Sequence, residues 1–248
     1  MRSFVPAVGA LLCAGLTHAA TVEYTLDDGV ANTNQGPPST FDPDTLWGNY
    51  FMAEAGGEVI TTVSVAFGPS FPLDTPITIW LLDDPDNDFD PTNAVALTSA
   101  EFLHDGTSGN VFVDFPIDPT EVSGGFFVGA NAFLMGGEDT PMRVDTDAAG
   151  DRSWFFYAPE IDDVINDLAS APFGTRMDNP EFVIFPGAFM LRATGVPAGS
   201  PADLNGDGVV DSADLAIMLA AWGGPDADLD DDGSTGASDL AILLAAWG

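Results

Sequence analysis

The sequence predicts a mainly β chain: an antiparallel, jelly-roll-like β-sandwich followed by a small α-helical unit at the C-terminus. Three observations lead there. Short stretches of alternating apolar and polar residues recur between Gly-, Pro-, Asp- and Asn-rich clusters through residues 21–194 of the 248-residue chain, the pattern of half-buried strands joined by turns. From residue 202 onward that period gives way to apolar residues spaced three and four apart, which is one face of a helix. A Pro- and Gly-containing stretch, 195–201, separates the two and reads as a semi-rigid linker.

Residues 1–20 precede this pattern and read as a secretory signal peptide. Met1-Arg2-Ser3 is a short basic start, Phe4 to Leu16 is an apolar run too short to span a membrane, and Thr17-His18-Ala19-Ala20 offers small residues for cleavage. Leu12, just before Cys13, is too large for a lipoprotein cleavage signal. Removing the leader takes away Arg2 and the single cysteine, leaving 39 acidic side chains against four arginines, no lysine, and His104 as the one histidine. Disulfides, thiol nucleophiles, cysteine metal sites and lysine Schiff-base chemistry are thereby excluded. Nucleic acid is excluded as a partner, because four arginines cannot form the basic patch that phosphates require. His104, in Phe102-Leu103-His104-Asp105-Gly106, is expected in a solvated turn and not as a general base. At 46% apolar and 18% charged the chain can fold, but its charge is nearly all of one sign, so self-repulsion calls for cations.

In the body, strands are expected near residues 22–26, 49–53, 59–67, 77–82, 95–103, 111–115, 126–132, 153–157, 182–185 and 189–193. The alternation is plainest in 59–67 and 111–115, each with one buried face. Only residues 161–168 hint at a helix, as one short turn-rich insertion. About ten short strands without disulfides suit one two-sheet core. Three groups there bear on function. Asp83, Asp84, Asp86, Asp88 and Asp90 crowd one inter-strand loop, which reads either as a solvated turn or as a further calcium loop formed by Asp84, Asp86, Asp88 and Asp90. Trp47, Trp80 and Trp154 are expected in the core, the alternative being stacking on sugar rings. Arg143, Arg152, Arg176 and Arg192 are each expected to pair with a local carboxylate.

The C-terminal unit contains one pattern written twice. Asp203-Leu-Asn205-Gly-Asp207-Gly208-Val209-Val-Asp211-Ser-Ala-Asp214 is followed, 25 residues on, by Asp228-Leu-Asp230-Asp-Asp232-Gly233-Ser234-Thr-Gly236-Ala-Ser-Asp239. Both fit the twelve-position loop in which oxygens at positions 1, 3, 5, 7, 9 and 12 wrap calcium, with glycine at position 6 where the chain turns sharply. After each loop comes an apolar helical face, Leu215, Met218, Leu219 and Trp222, then Leu240, Leu243, Leu244 and Trp247. These two faces are expected to pack together once calcium neutralises the loops. Gly223 and Gly248 stand where helices commonly end. No helix is expected before the first loop, since Gly195-Val-Pro197-Ala-Gly199-Ser-Pro201 cannot form one. Each unit is therefore half of an EF-hand. An acidic disordered tail is disfavoured, because such tails lack paired Leu/Trp faces.

Two half-hands in tandem near the C-terminus resemble a type I dockerin, a calcium-binding module that plugs secreted proteins into cohesin receptors. The resemblance implies that calcium is held by Asp203, Asn205, Asp207, Asp211 and Asp214 with the Val209 carbonyl. A second ion would take Asp228, Asp230, Asp232 and Asp239 with the Ser234 carbonyl, and water would stand in for the side chain that Gly236 lacks. It further implies partner contacts at Ser212, Ala213, Ala237 and Ser238, although neither helix carries the Lys or Arg of the cellulosomal kind. The body is similar to a group of secreted bacterial proteins with a signal peptide, a sandwich and a C-terminal anchoring module. Trp47-Gly-Asn49-Tyr-Phe51, Asp84-Pro-Asp86-Asn-Asp88, Ser123-Gly-Gly-Phe126-Phe-Val-Gly129, Arg152-Ser-Trp154 and Phe189-Met-Leu-Arg192-Ala carry that likeness. It implies architecture and no activity.

The expectation is thus a secreted or cell-surface, non-catalytic bacterial sandwich assembled through a calcium-dependent module onto a cohesin-like or other surface protein. The competing expectation is a carbohydrate-active protein, either a polysaccharide-binding module or a glycoside hydrolase using two carboxylates. No catalytic pair is singled out by spacing. The exported protein should begin at Ala20 or Thr21; an intact mass that retains Met1, or that carries a lipid on Cys13, overturns the secretory reading.

Overall fold

The computed structural model describes residues 21–37, 43–183, 185–206, 209–230 and 232–247. The expected leader, with Cys13, lies outside them, as do Asp207, Gly208 and Gly248. The chain is mainly β, and every sheet in it is antiparallel. Its strands are β1 (Val22–Tyr24), β2 (Thr33–Gln35), β3 (Asp44–Met52), β4 (Val59–Ala66), β5 (Pro76–Asp84), β6 (Val95–Leu103), β7 (Phe112–Glu121), β8 (Gly125–Phe133), β9 (Met142–Asp145), β10 (Ser153–Ala158), β11 (Phe173–Arg176), β12 (Ala188–Phe189) and β13 (Leu191–Val196). Two helices follow, α1 (Ser212–Ala220) and α2 (Ala237–Ala245). One sheet runs β1-β13-β4-β7, a second β11-β10-β3-β8-β5-β6, and a small third β12-β9-β2.

The six-stranded sheet is apolar on both faces, and its sequence explains why. Along β3, Trp47 and Phe51 enter the core shared with Ile60, Val63 and Val65 of β4, while Leu46 and Tyr50 point the other way. β8 repeats the division, with Phe126, Val128 and Ala130 inward and Phe127 outward. A strand with period-two side chains shows no alternation of polarity when both faces are covered. The outer face is covered by Ile161, Ile165 and Leu168 of the segment after β10, which is a run of turns ending in a 3-10 turn at Leu168–Ser170. Residues 161–168 form no α-helix, contrary to the hint in their sequence; they are a turn-rich insertion, and they seal a second core.

Asn49 ties the layers together. It lies on β3, facing inward among apolar side chains, fully buried. Its Nδ2 donates to the carbonyls of Phe189 (2.8 Å) and Leu191 (2.7 Å), and its Oδ1 accepts from the Ser153 hydroxyl (2.6 Å). One amide thus satisfies two main-chain carbonyls where β12 passes into β13, groups that a buried segment cannot leave bare.

Several expectations need correction. β3 and β7 are longer than the segments expected around 49–53 and 111–115, because pairing with β8 and β4 extends them. β2, β9 and β11 have no counterpart among the expected strands; they are short, partly polar and defined by their partners. Residues 182 and 183 lie in turn and coil, so the strand expected at 182–185 does not form there. β13 continues to Val196, two residues into the expected linker, because Gly195 and Val196 pair with Ile60 and Val59. His104 is not solvated: it is 1% exposed, packed against Phe67 and Phe71, with its ring nitrogens 2.9 Å from the carbonyls of Pro72 and Thr107. Two of the four arginines pair with carboxylates, Arg192 with Asp27 and Glu23 and Arg176 with Asp178. Arg143 instead donates to Asn34 and Asn110, and Arg152 lies 4.8 Å over the Phe89 ring.

Replacing Asn49 by Ala should cost about 3 kcal/mol, since it strands two buried carbonyls and a buried hydroxyl. The body's melting temperature should then fall by about 6–12 °C. An unchanged melting temperature in a calorimetric scan removes the strut from the account.

Candidate metal centre in the duplicated loops

The two C-terminal loops share their internal wiring as well as their sequence. Asp214 is fully buried on the first turn of α1; its Oδ1 accepts from the Asn205 N–H (3.1 Å) and its Oδ2 from the Asp211 N–H (2.8 Å). Asp239 does the same 25 residues later. Its Oδ1 accepts from Leu229 (2.7 Å) and Asp230 (3.1 Å), and its Oδ2 from Gly236 (2.6 Å). In both loops the carboxylate at position 12 reaches back to positions 3 and 9 and draws the loop closed. For Asp214 burial opposes ionisation, but main-chain donors led by Asp211 and Asn205 outweigh it, so its pKa lies below the ordinary value. For Asp239 the Gly236 N–H leads the stabilisation, against a smaller effect of burial, with the same net direction.

Position 1 also accepts main-chain donors: Gly206 N–H to Asp203 Oδ1 (2.9 Å), and Asp232 and Gly233 N–H to the two oxygens of Asp228 (3.1 and 2.6 Å). Gly233, at position 6, has φ +95°, a conformation that a side chain strains. The helices start from these loops. Asp211 caps α1 by accepting from the Ala213 N–H (2.7 Å), whereas Gly236, at the same place before α2, has no side chain to offer.

The donor set of the second loop fits a hard cation. Asp228, Asp230 and Asp232 each present a carboxylate oxygen, all within 4.8 Å of one another. An ion about 2.3–2.6 Å from each oxygen spans that separation. Asp239 accepts three N–H bonds in a carboxylate with about four acceptor sites, so it retains capacity toward an ion. In the first loop Asp203, Asn205, Val209, Asp211 and Asp214 occupy the matching places, and Asp207 lies outside the described residues. Calcium at either loop would offset the mutual repulsion of four carboxylates; the protein groups position the oxygens and set the loop's closure.

Ser212 and Ala213, and Ala237 and Ser238, form the exposed first turns of α1 and α2. The apolar faces of these helices divide. Met218 and Leu243 are buried with Ala202, Val210 and Ala227, and Leu215 and Leu240 pack beside them. Leu219 and Leu244, each 54% exposed, and Trp222 and Trp247, at 49% and 44%, face outward. The expectation that all four residues of each face pack together is therefore corrected. Two nine-residue helices meeting across one small core bury a narrow stripe, and the adjoining stripe remains on the surface.

A second acidic group lies at the end of β5. Asp84, Asp86 and Asp88 also place carboxylate oxygens within 4.8 Å of one another. Asp90 does not join them; it accepts from the Thr92 N–H (3.0 Å) and caps a 3-10 turn. Tyr50, which the sequence does not mark, donates its hydroxyl to Asp84 Oδ2 at 2.5 Å. A Cβ at Gly125 would collide with that hydroxyl, so glycine there makes room for the bond. Burial raises the Asp84 pKa, with Asp86 adding to the rise against the lowering effect of Tyr50.

The tryptophans divide between core and surface: Trp47 and Trp80 are in the cores, while Trp154 is part-exposed, stacked on Phe156. With Thr175, Arg176, Asp178 and Asn179 it lines an open depression of about 530 Å³. The one carboxylate there, Asp178, is bound to Arg176 at 2.6 Å. No helix among the described residues is long and apolar enough to cross a membrane.

No protein-family model matches the chain, and no curated protein matches it. Among solved structures it is similar to the clostridial cysteine protease Cwp84 after propeptide cleavage, at 12% identity and TM-score 0.48, over 72% of this chain and 40% of that one. A structure of the cysteine protease and lectin-like domains of Cwp84, a surface layer associated protein of Clostridium difficile, matches at 11% identity and TM-score 0.43, over 72% of this chain and 36% of that one. The chain spans less than half of the chains it matches, and at these scores the likeness bears on neither activity nor ligand.

Asp203→Ala and Asp228→Ala should each weaken calcium binding by at least about tenfold. The first should cost more, because Asp211 gives the first loop a position-9 carboxylate that Gly236 denies the second. Calorimetric titration of the two single variants checks the order, and equal losses, or a larger loss from Asp228→Ala, remove that ranking.

Proposed function

We propose that this chain is a secreted, non-catalytic β-sandwich of jelly-roll type that is displayed or assembled through a calcium-dependent, dockerin-like C-terminal module. The observation that carries the reading is the repeated wiring of the loops, in which Asp214 and Asp239 close two acidic rings from equivalent donors. Two calcium ions would occupy these rings. The exposed Leu219, Trp222, Leu244 and Trp247 support attachment to a protein partner, since paired apolar residues on a small domain favour a covering surface. That partner would be cohesin-like or another protein of a bacterial cell surface, approached also through Ser212, Ala213, Ala237 and Ser238. A non-catalytic body agrees with an Asp178 already engaged by Arg176 and with a His104 sequestered between carbonyls.

The depression beside Trp154 favours a second reading, a polysaccharide-binding surface, because it gathers a part-exposed indole with the polar side chains of Arg176 and Asn179; Arg176 lies 5.9 Å over the indole ring and would have to move aside for a sugar to stack there. Binding of soluble oligosaccharides that is lost on Trp154→Ala supports it.

For the main reading, the intact exported chain should lose its helical circular-dichroism signal in chelator and regain it in millimolar calcium, with the sandwich's thermal transition persisting in both. Metal-binding energy is folding energy in a unit whose helices are too short to persist alone. Retention on the producing cell's surface fraction should require calcium and fall at least about tenfold in a Trp222→Ala/Trp247→Ala variant that still folds with calcium. Helical signal indifferent to chelator sinks the calcium-dependent module; retention indifferent to the tryptophans sinks the docking surface.

A further inference from the structure

The turn that follows β5 is built around a defect that hydrogen bonding leaves in place. Asp84 is the last residue of its strand, paired with Gly125 of β8 and 1% exposed. Its Oδ2 accepts from the Tyr50 hydroxyl (2.5 Å) and the Asp88 N–H (3.1 Å), while its Oδ1 is buried with no hydrogen-bond partner. A carboxylate oxygen removed from water without a donor is among the costlier things a fold can contain. None of the described arginines forms an ion pair with Asp84, Asp86 or Asp88.

The neighbouring side chains are held facing the same place. Asp86 Oδ2 accepts from Asn93 Nδ2 (2.8 Å) and Asp88 Oδ1 from the Asp90 N–H (2.8 Å), which fixes each carboxylate by one oxygen. Asn87, between them, is bonded to the Gly125 N–H, so the turn is fastened to β8. One oxygen from each of the three carboxylates falls within 4.8 Å of the other two. Asp86 and Asp88 are exposed, and they give an ion entry from solvent to the buried Asp84.

We infer that the turn after β5 holds a divalent cation between Asp84, Asp86 and Asp88, and that the cation is calcium. The donors are all hard oxygens, with neither imidazole nor thiolate among them, and waters would complete the coordination on the open side. The ion would take up the partnerless buried oxygen and join the end of β5 to Tyr50 of β3 through Asp84. This site is distinct from the C-terminal loops and does not depend on the dockerin-like reading.

The test uses the full exported chain with both C-terminal loops disabled by Asp203→Ala and Asp228→Ala, titrated with calcium alone while the sandwich's thermal transition is followed. At a hundredfold excess over the dissociation constant the transition should rise by about 5–10 °C. Adding Asp86→Asn and Asp88→Asn, both at exposed positions, should abolish that rise. Without metal, the same pair should raise the transition, because it relieves repulsion; carboxylates serving only as hydrogen-bond acceptors would leave it unchanged, since Asn keeps an acceptor oxygen. A transition indifferent to calcium in the loop-disabled chain overturns the site. So does a calcium shift that survives Asp86→Asn and Asp88→Asn.

Discussion

A molecule with 39 acidic side chains and five basic ones must find something other than salt bridges to satisfy its carboxylates. Main-chain N–H groups do most of it. Asp145 accepts from Asp28 and Asp147, Asp88 from Asp90, Asp105 from Thr107, and Asp239 from three donors at once. The scarce arginines go where the need is greatest: Arg192 takes Asp27, whose side chain is wholly buried, and reaches Glu23 with its remaining nitrogen. Such bonds answer charge one residue at a time, and the donors are N–H groups of turns and loops, such as those of Asp28, Asp90, Thr107 and Asp147. Where several carboxylates converge faster than donors can be supplied, a cation is the remaining means of offsetting them. The two convergences among the described residues are Asp228-Asp230-Asp232 and Asp84-Asp86-Asp88.

The body tolerates this charge because its cohesion comes from elsewhere. β3, β8 and β5 carry large apolar side chains on both faces, so the six-stranded sheet is gripped from two sides and its acids sit at strand ends and turns. Asn49 sets the inner layer by a neutral route, feeding β12 and β13 from an amide that carries no charge into the core. A charged residue in that position would have to be desolvated. The tail has no such reserve. Its core is five small and medium residues, led by Met218 and Leu243, and burying so little apolar surface supplies too little to order two short helices.

How much of this is legible in the sequence follows from where the information lies. Period-two strands such as β4, and the edge strand β6 at Val95–Leu103, announce themselves because one face is wet. β9 and β11 do not, since a four-residue strand is specified by the partner it meets and not by its own composition. The repeat of the C-terminal loops is readable because acidic spacing, glycine and apolar residues recur at one offset, and the position-12 carboxylates Asp214 and Asp239 repeat their main-chain bonds accordingly. The helical faces invite over-reading: periodicity says which residues share a side, but only the diameter of the partner decides how wide a stripe is covered, so Leu219 falls beyond it, and α1 stops at Ala220, before Trp222. His104 is misplaced by sequence alone, which shows the turn after it and hides Phe67, Phe71 and the Pro72 carbonyl that enclose it. The crowd of acids at 83–90 is visible, yet the oxygen that lacks a donor becomes apparent only once Tyr50 is seen to take its neighbour.

The division of each tail unit into a buried and an exposed apolar part would link the proposed ion to the proposed partner. Leu219 and Leu244 each adjoin a buried residue of the same short helix, Met218 or Leu243, and Trp222 and Trp247 follow two residues past the helix ends, so the packing of Met218 and Leu243 bears on where all four lie. Packing in turn needs both loops closed, since α1 and α2 begin inside them, at Asp211 and Gly236. Under the proposed calcium dependence, an ion that closes the loops would arrange a surface it never touches, and its removal would disperse that surface without altering one contact residue. Reciprocity then requires that a partner covering the tryptophans tighten the hold on calcium by the same factor. On the proposed function, the acidic loops and the apolar stripe would then act as one device, with calcium on one side of a small core and the partner on the other.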